Sequence, residues 1–97
     1  MARPRFSPAA ARDLETIVDY IARDNPSRAR SYVRELRLFC RKVATRPCSF
    51  PLREEFGANV RLAVYGAYLI LFAERDGAVV IERVVHGARD RKGLLGS

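Results

Sequence analysis

One histidine, two cysteines and sixteen arginines carry most of the chemistry this chain could perform. His86 could serve as a general acid or base, because an imidazole titrates near neutrality. It stands alone at the end of an apolar run, ahead of Gly87-Ala88-Arg89-Asp90, and a structural role is the alternative. A lone histidine cannot build a metal cluster. Cys40 and Cys48 are eight positions apart with no CxxC pattern, so neither a zinc site nor a disulfide framework is expected. Cys40 falls on an apolar helical stripe, and Cys48 sits in a loop with no base beside it. GxSxG, HExxH, P-loop and GxGxxG patterns are all missing from the sequence, and no cofactor is expected.

The arginines are patterned. Arg30, Arg34, Arg37 and Arg41 recur at i, i+4, i+7 and i+11, within about 60° of one another on a helical wheel. Such a stripe can bind nucleic-acid phosphate or an acidic partner, or it can be an ordinary solvated face. No aromatics interleave it, and a single-strand binding surface would use them for stacking. An acidic protein is therefore at least as good a partner as nucleic acid. Leu38 lies off the core face of the same helix and is either an apolar contact or an incidental surface leucine. Arg61 and Arg83 sit within apolar strands, where an unpaired guanidinium is costly. They form an anion or partner site, or they pair with Glu54, Glu55, Glu74 or Glu82. Arg61 is expected to point away from the face of Val60 and Leu62, and Arg83 to share a face with Ile81 and Val85.

The elements that position these groups follow from periodicity and punctuation. Residues 3–6 form a candidate short strand. Ser7-Pro8 supplies an N-cap and first helical position, and Ala10, Leu14, Ile17, Val18 and Ile21 repeat at helical spacing. Asp24-Asn25-Pro26 ends that helix and starts a second, with Ala29, Tyr32, Val33, Leu36, Cys40 and Val43 as its core stripe. A helical hairpin over 8–46 results. Prolines and Gly57 mark a connecting loop with room for a short strand or turn. Residues 60–64, 68–74 and 78–86 then form strands joined by tight turns, one at Asp76-Gly77. The apolar run from Tyr68 suits a central strand. The fold class is α+β: a short first strand and an αα-hairpin packed on an antiparallel sheet of three to four strands, about residues 59–86. No helix is left over for parallel crossovers. Residues 87–97 read as a polar, partly mobile tail, and residues 1–97 as one domain.

Composition narrows the class further. The 97 residues carry +7, yet 48% are hydrophobic, so this is not a disordered basic tail. Seven cations between positions 28 and 46 face only Glu35, so +6 of the excess gathers on one helix and its ends. The longest nearly uncharged apolar run, residues 62–73, is too short for a bilayer span of roughly twenty residues. No secretory signal is visible, and a cytoplasmic location with reduced thiols is expected.

The ordered set of residues resembles the RelE/ParE superfamily of bacterial toxin–antitoxin modules, and its ParE branch in particular. The resemblance rests on Phe6-Ser7-Pro8-Ala9-Ala10, Asp13-Leu14, Ile17, Tyr20-Ile21-Ala22 and Asn25-Pro26. It continues through Ala29, Ala44, Pro47, Phe56-Gly57, Val60-Arg61 and Tyr68-Leu69-Ile70. It ends on Ile81-Glu82-Arg83-Val84-Val85-His86-Gly87-Ala88-Arg89-Asp90. It implies a plasmid-stabilising type II toxin with a ParD-like antitoxin as partner in a hetero-oligomer. DNA would be contacted only indirectly, through the antitoxin complex. Antitoxin binding would then use Arg30, Arg34, Arg37, Leu38 and Arg41.

ParE-like members poison DNA gyrase by contact, without a chemical step. That points to His86, Arg89 and Asp90 as the target-facing surface. RelE-like members instead cleave mRNA on the ribosome, and Arg61, Arg83 and His86 are the candidates for that alternative. The sequence lacks the extra tyrosine, histidine and lysine such a nuclease would use to move protons and stabilise charge on phosphate.

Overall fold

The computed structural model describes residues 3–90. Six elements follow in order: β1 (Arg5–Phe6), α1 (Pro8–Ala22), α2 (Pro26–Thr45), β2 (Arg61–Tyr65), β3 (Tyr68–Arg75) and β4 (Ala78–His86). The loop between α2 and β2 holds two single 3-10 turns, Pro47–Ser49 and Glu54–Phe56, and one bridge from Leu52 to Arg61. Residues 91–97, most of the expected tail, lie outside the described residues.

Each helix starts where its cap dictates. The Ser7 hydroxyl accepts the Ala10 N–H at 3.0 Å, and Pro8 occupies the first turn, where its missing N–H costs nothing. Asn25 repeats the arrangement for α2, accepting the Arg28 N–H at 3.0 Å ahead of Pro26. With so short a joint the two helices must lie antiparallel and share one apolar face. Leu14 and Ile17 of α1, with Leu36, Cys40 and Val43 of α2, pack on Ile70, Phe72, Ile81 and Val84 of the sheet. Fully burying a side chain of this size is worth about 1.5–3 kcal/mol. A second, smaller cluster lies on the other face, where Phe56 and Val60 of the loop cover Leu62, Leu69 and Leu71. β3 is therefore apolar on both faces, as its sequence requires.

The strand order is β1-β4-β3-β2. β2, β3 and β4 are antiparallel neighbours, but β1 runs parallel to β4, with Arg5 opposite Val80 and Phe6 opposite Ile81. The sheet is thus mixed. This pair needs no crossover between consecutive strands, because the chain returns beside β1 only after both helices and two hairpins. The turn at Asp76-Gly77 has positive φ at both residues, 54° and 79°, which matches the twist of the flanking strands.

One irregularity re-aims β4. Leu71 faces Arg83 and Phe72 faces Ile81, so Glu82 is an extra residue in the ladder. Ile81 turns into the helix-side core and Arg83 lies in register with Leu71 of the opposite face. Arg83 therefore does not share a face with Ile81, because the bulge breaks strict alternation. Ser7 supports the bulge: its N–H donates to the Ile81 carbonyl and its hydroxyl to that of Glu82, both at 2.9 Å.

Candidate functional site

α2 presents the expected ridge. Arg30, Arg34, Arg37 and Arg41 are all exposed, and Leu38, half exposed at 50%, flanks Arg34 and Arg41. Among the described residues, none of the four arginines has a carboxylate within 4 Å. The helix's one acid, Glu35, is taken by Arg28 at 3.1 Å; that hydrogen bond raises the Arg28 pKa. The Arg28 guanidinium also lies 5.2 Å above the Tyr32 ring. Arg37 sits 5.0 Å over the ring of Phe6, which links the ridge to β1.

The segment after β4 is a hydrogen-bonded turn. The His86 ring accepts the N–H groups of Ala88 and Arg89 at Nδ1, each at 3.2 Å. The Asp90 N–H donates to the His86 carbonyl at 2.9 Å, and the His86 N–H returns to the Asp90 carboxylate at 3.2 Å. The imidazole edge meets Tyr68, with ring centres 5.4 Å apart. Two backbone donors converge on this ring, so its first task is to shape the turn.

The turn delivers Arg89 onto α1, 4.4 Å above the ring of Tyr20, which is 51% exposed. Beside this stacked pair lies a cavity of about 310 Å³ bordered by Asp13, Tyr20, Arg23, Tyr68, Arg89 and Asp90. Arg89 and Asp90 therefore share a site with α1. Sequence reasoning missed Tyr20 and Arg23; the available signal was an aromatic on the polar flank of an amphipathic helix with a cation three residues later.

Arg61, Arg83 and His86 are each engaged by the protein itself. Arg61 lies opposite Phe72, away from Val60 and Leu62 as expected, and donates to the Phe50 carbonyl at 2.6 Å. Arg83 grips Asp13 through two bonds of 2.8 and 3.0 Å, which raise its pKa. The expected glutamate partners do not take that role: Glu82 pairs with Arg75, Glu55 with Arg53, and Glu54 accepts the Asn59 N–H. Cys40 is buried, and burial pushes its thiol up to about 12. Cys48 is exposed, and neither cysteine is bonded to the other. Among the described residues, no group of three His, Cys, Asp or Glu side chains could hold a metal ion. Among the described residues, no helix is long and apolar enough to cross a membrane.

A family model described as the ParE toxin of the type II toxin–antitoxin system parDE matches residues 5–91. The chain belongs to the ParE toxin family. The match runs from the first residue of β1 to just past the Asp90 turn, so it spans every element described above. Among solved structures, a chain of the chromosomal ParDE toxin–antitoxin system from P. aeruginosa is similar, with a TM-score of 0.74. It is 19% identical, over 89% of this chain and 96% of that one. At that identity the likeness is one of fold. A search of curated proteins finds no match in sequence. For this ParE-family chain, the fold thus sets two exposed surfaces, the α2 ridge and the α1–turn cavity, on one scaffold.

Proposed function

We propose that this ParE-family toxin inhibits DNA gyrase by binding it, and that a ParD-like antitoxin neutralises it in the reducing cytoplasm. The observation that carries the non-enzymatic reading is the engagement of Arg61, Arg83 and His86 by Phe50, Asp13 and the turn backbone. A nuclease needs cations and a proton carrier aimed at phosphate, and these three groups are occupied within the protein. The target contact falls to the surface of His86, Arg89 and Asp90. The antitoxin segment lies along Arg30, Arg34, Arg37, Leu38 and Arg41, where unpaired cations suit acidic side chains and Leu38 gives an apolar contact. DNA is reached only through the antitoxin complex.

Expression without antitoxin tests the reading. Filamentation, a DNA-damage response and loss of supercoiling by purified gyrase are expected. Prompt arrest of translation with cut mRNA and unaffected gyrase would overturn it in favour of a RelE-like endonuclease.

A further inference from the structure

We propose that Arg3, Arg37 and Arg41 form a pocket for a phosphate monoester or inorganic phosphate. The segment before β1 meets the flank of α2 there and borders an open cleft of about 180 Å³ lined by Arg3, Pro4, Phe6, Arg37 and Arg41. Three guanidinium groups border this small space, and no acidic residue lines it. Among the described residues, none of the three has a carboxylate within 4 Å. Arg37 and Arg41 are one helical turn apart, a spacing at which like charges repel, and Arg3 adds a third charge from another element. An anion seated between them turns that repulsion into attraction.

The chemistry favours phosphate over a single carboxylate. A phosphate monoester carries about −1.5 to −2 charge near neutrality and has three acceptor oxygens, enough for three planar donor forks. Arg37 is held over Phe6, and stacking on a ring face leaves the N–H groups around the guanidinium edge free to donate. The cleft is open on one side, so a phosphate group can enter while its substituent stays in solvent. A nucleic-acid strand fits less well. The one aromatic lining the pocket, Phe6, is half-buried under Arg37 and offers no open face for a base. This site goes beyond the gyrase reading and does not depend on it.

The test titrates the full chain with inorganic phosphate and with a nucleoside 5′-monophosphate at constant ionic strength, following guanidinium NMR signals and thermal unfolding. Saturable shifts at Arg37 and Arg41, but not at Arg30 and Arg34, are expected. Tm should rise by about 11–22 °C near a hundredfold excess over Kd. Arg3→Ala and Arg41→Ala should each weaken binding roughly tenfold with an unchanged circular dichroism spectrum. Tighter binding of the nucleotide would mean that the attached group contributes; equal binding would make phosphate alone the ligand. Equal, unsaturated drift at all four arginines would overturn the proposal. So would acetate binding as well as phosphate, or an oligonucleotide binding indifferently to Arg3→Ala.

Discussion

The Asp13 carboxylate receives the guanidinium of Arg83 through two hydrogen bonds, 70 residues away in sequence, and also accepts the Val84 N–H at 2.8 Å. β1 is only two residues long and ends opposite Ile81, so β4 is left without a neighbour there. Asp13 takes the place of the missing strand. Its side chain is only 16% exposed, so the carboxylate is well shielded, whereas the Arg83 side chain, 42% exposed, stays open to water.

Asp13→Ala should therefore lower stability by about 2–3 kcal/mol, since it orphans a backbone donor and one charge together. Asp13→Asn keeps an acceptor for Val84 and should cost about half as much. Urea unfolding with an unchanged m-value measures both. A loss below about 0.5 kcal/mol for Asp13→Ala would show that the bridge contributes little.

Cys40 sets a pH dependence. Its thiol is raised from 9.0 to about 12 by burial, so the unfolded chain ionises first. Stability should be flat with respect to this group below pH 9 and fall as pH rises from 9 towards 12, by at most about 1.4 kcal/mol per unit. Tyr32, raised from 10.0 chiefly by burial, adds a slope of the same sign. Cys40→Ala should reduce the alkaline slope without abolishing it. At pH 8 a thiol reagent should label Cys48 and spare Cys40 in the native protein; equal labelling of both would refute the burial argument.

Tyr20 and Arg89 should couple. A double-mutant cycle with Tyr20→Ala and Arg89→Ala should return about 0.5–1 kcal/mol for the stacked pair. The same variants should lose gyrase inhibition while still binding antitoxin, if the cavity beside the pair faces the target. Full inhibition by both variants would remove this surface from the function.

Reversing the ridge with Arg34→Glu, Arg37→Glu and Arg41→Glu should weaken antitoxin binding by about tenfold per charge, most strongly at low salt. The fold should survive, because all three positions are exposed; only Arg37 gives up a packing contact, with Phe6. Antitoxin affinity that does not change would mark the ridge as a solvated face.

Local signals carried most of the fold. Ser7-Pro8 and Asn25-Pro26 announce helix starts through chemistry confined to four residues, and Asp76-Gly77 does the same for a hairpin. The ridge was legible because helical periodicity places exposed side chains without tertiary help. The bulge at Glu82, the parallel β1–β4 pair and the Asp13–Arg83 bridge were not. Each depends on residues about 70 positions apart, and no local pattern encodes which acid will meet Arg83. The link from Arg89 to Tyr20 was hidden for the same reason.

β4 lies between β3 and β1, so among the described strands the last to be synthesised is the one that closes the sheet. Until Ile81 and Val84 emerge, Leu14 and Ile17 of α1 lack much of their cover, and Asp13 has nothing to grip. At about 5–20 residues per second, a ribosome takes about 2–8 s to pass from position 46 to position 86. For that interval the hairpin is a pair of helices without a sheet, and isolated helices of this length are marginal in water. A product cut short before β4 cannot hold the ridge or the C-terminal turn as a rigid surface. The chain order thus reserves a rigid ridge and turn for copies translated past β4.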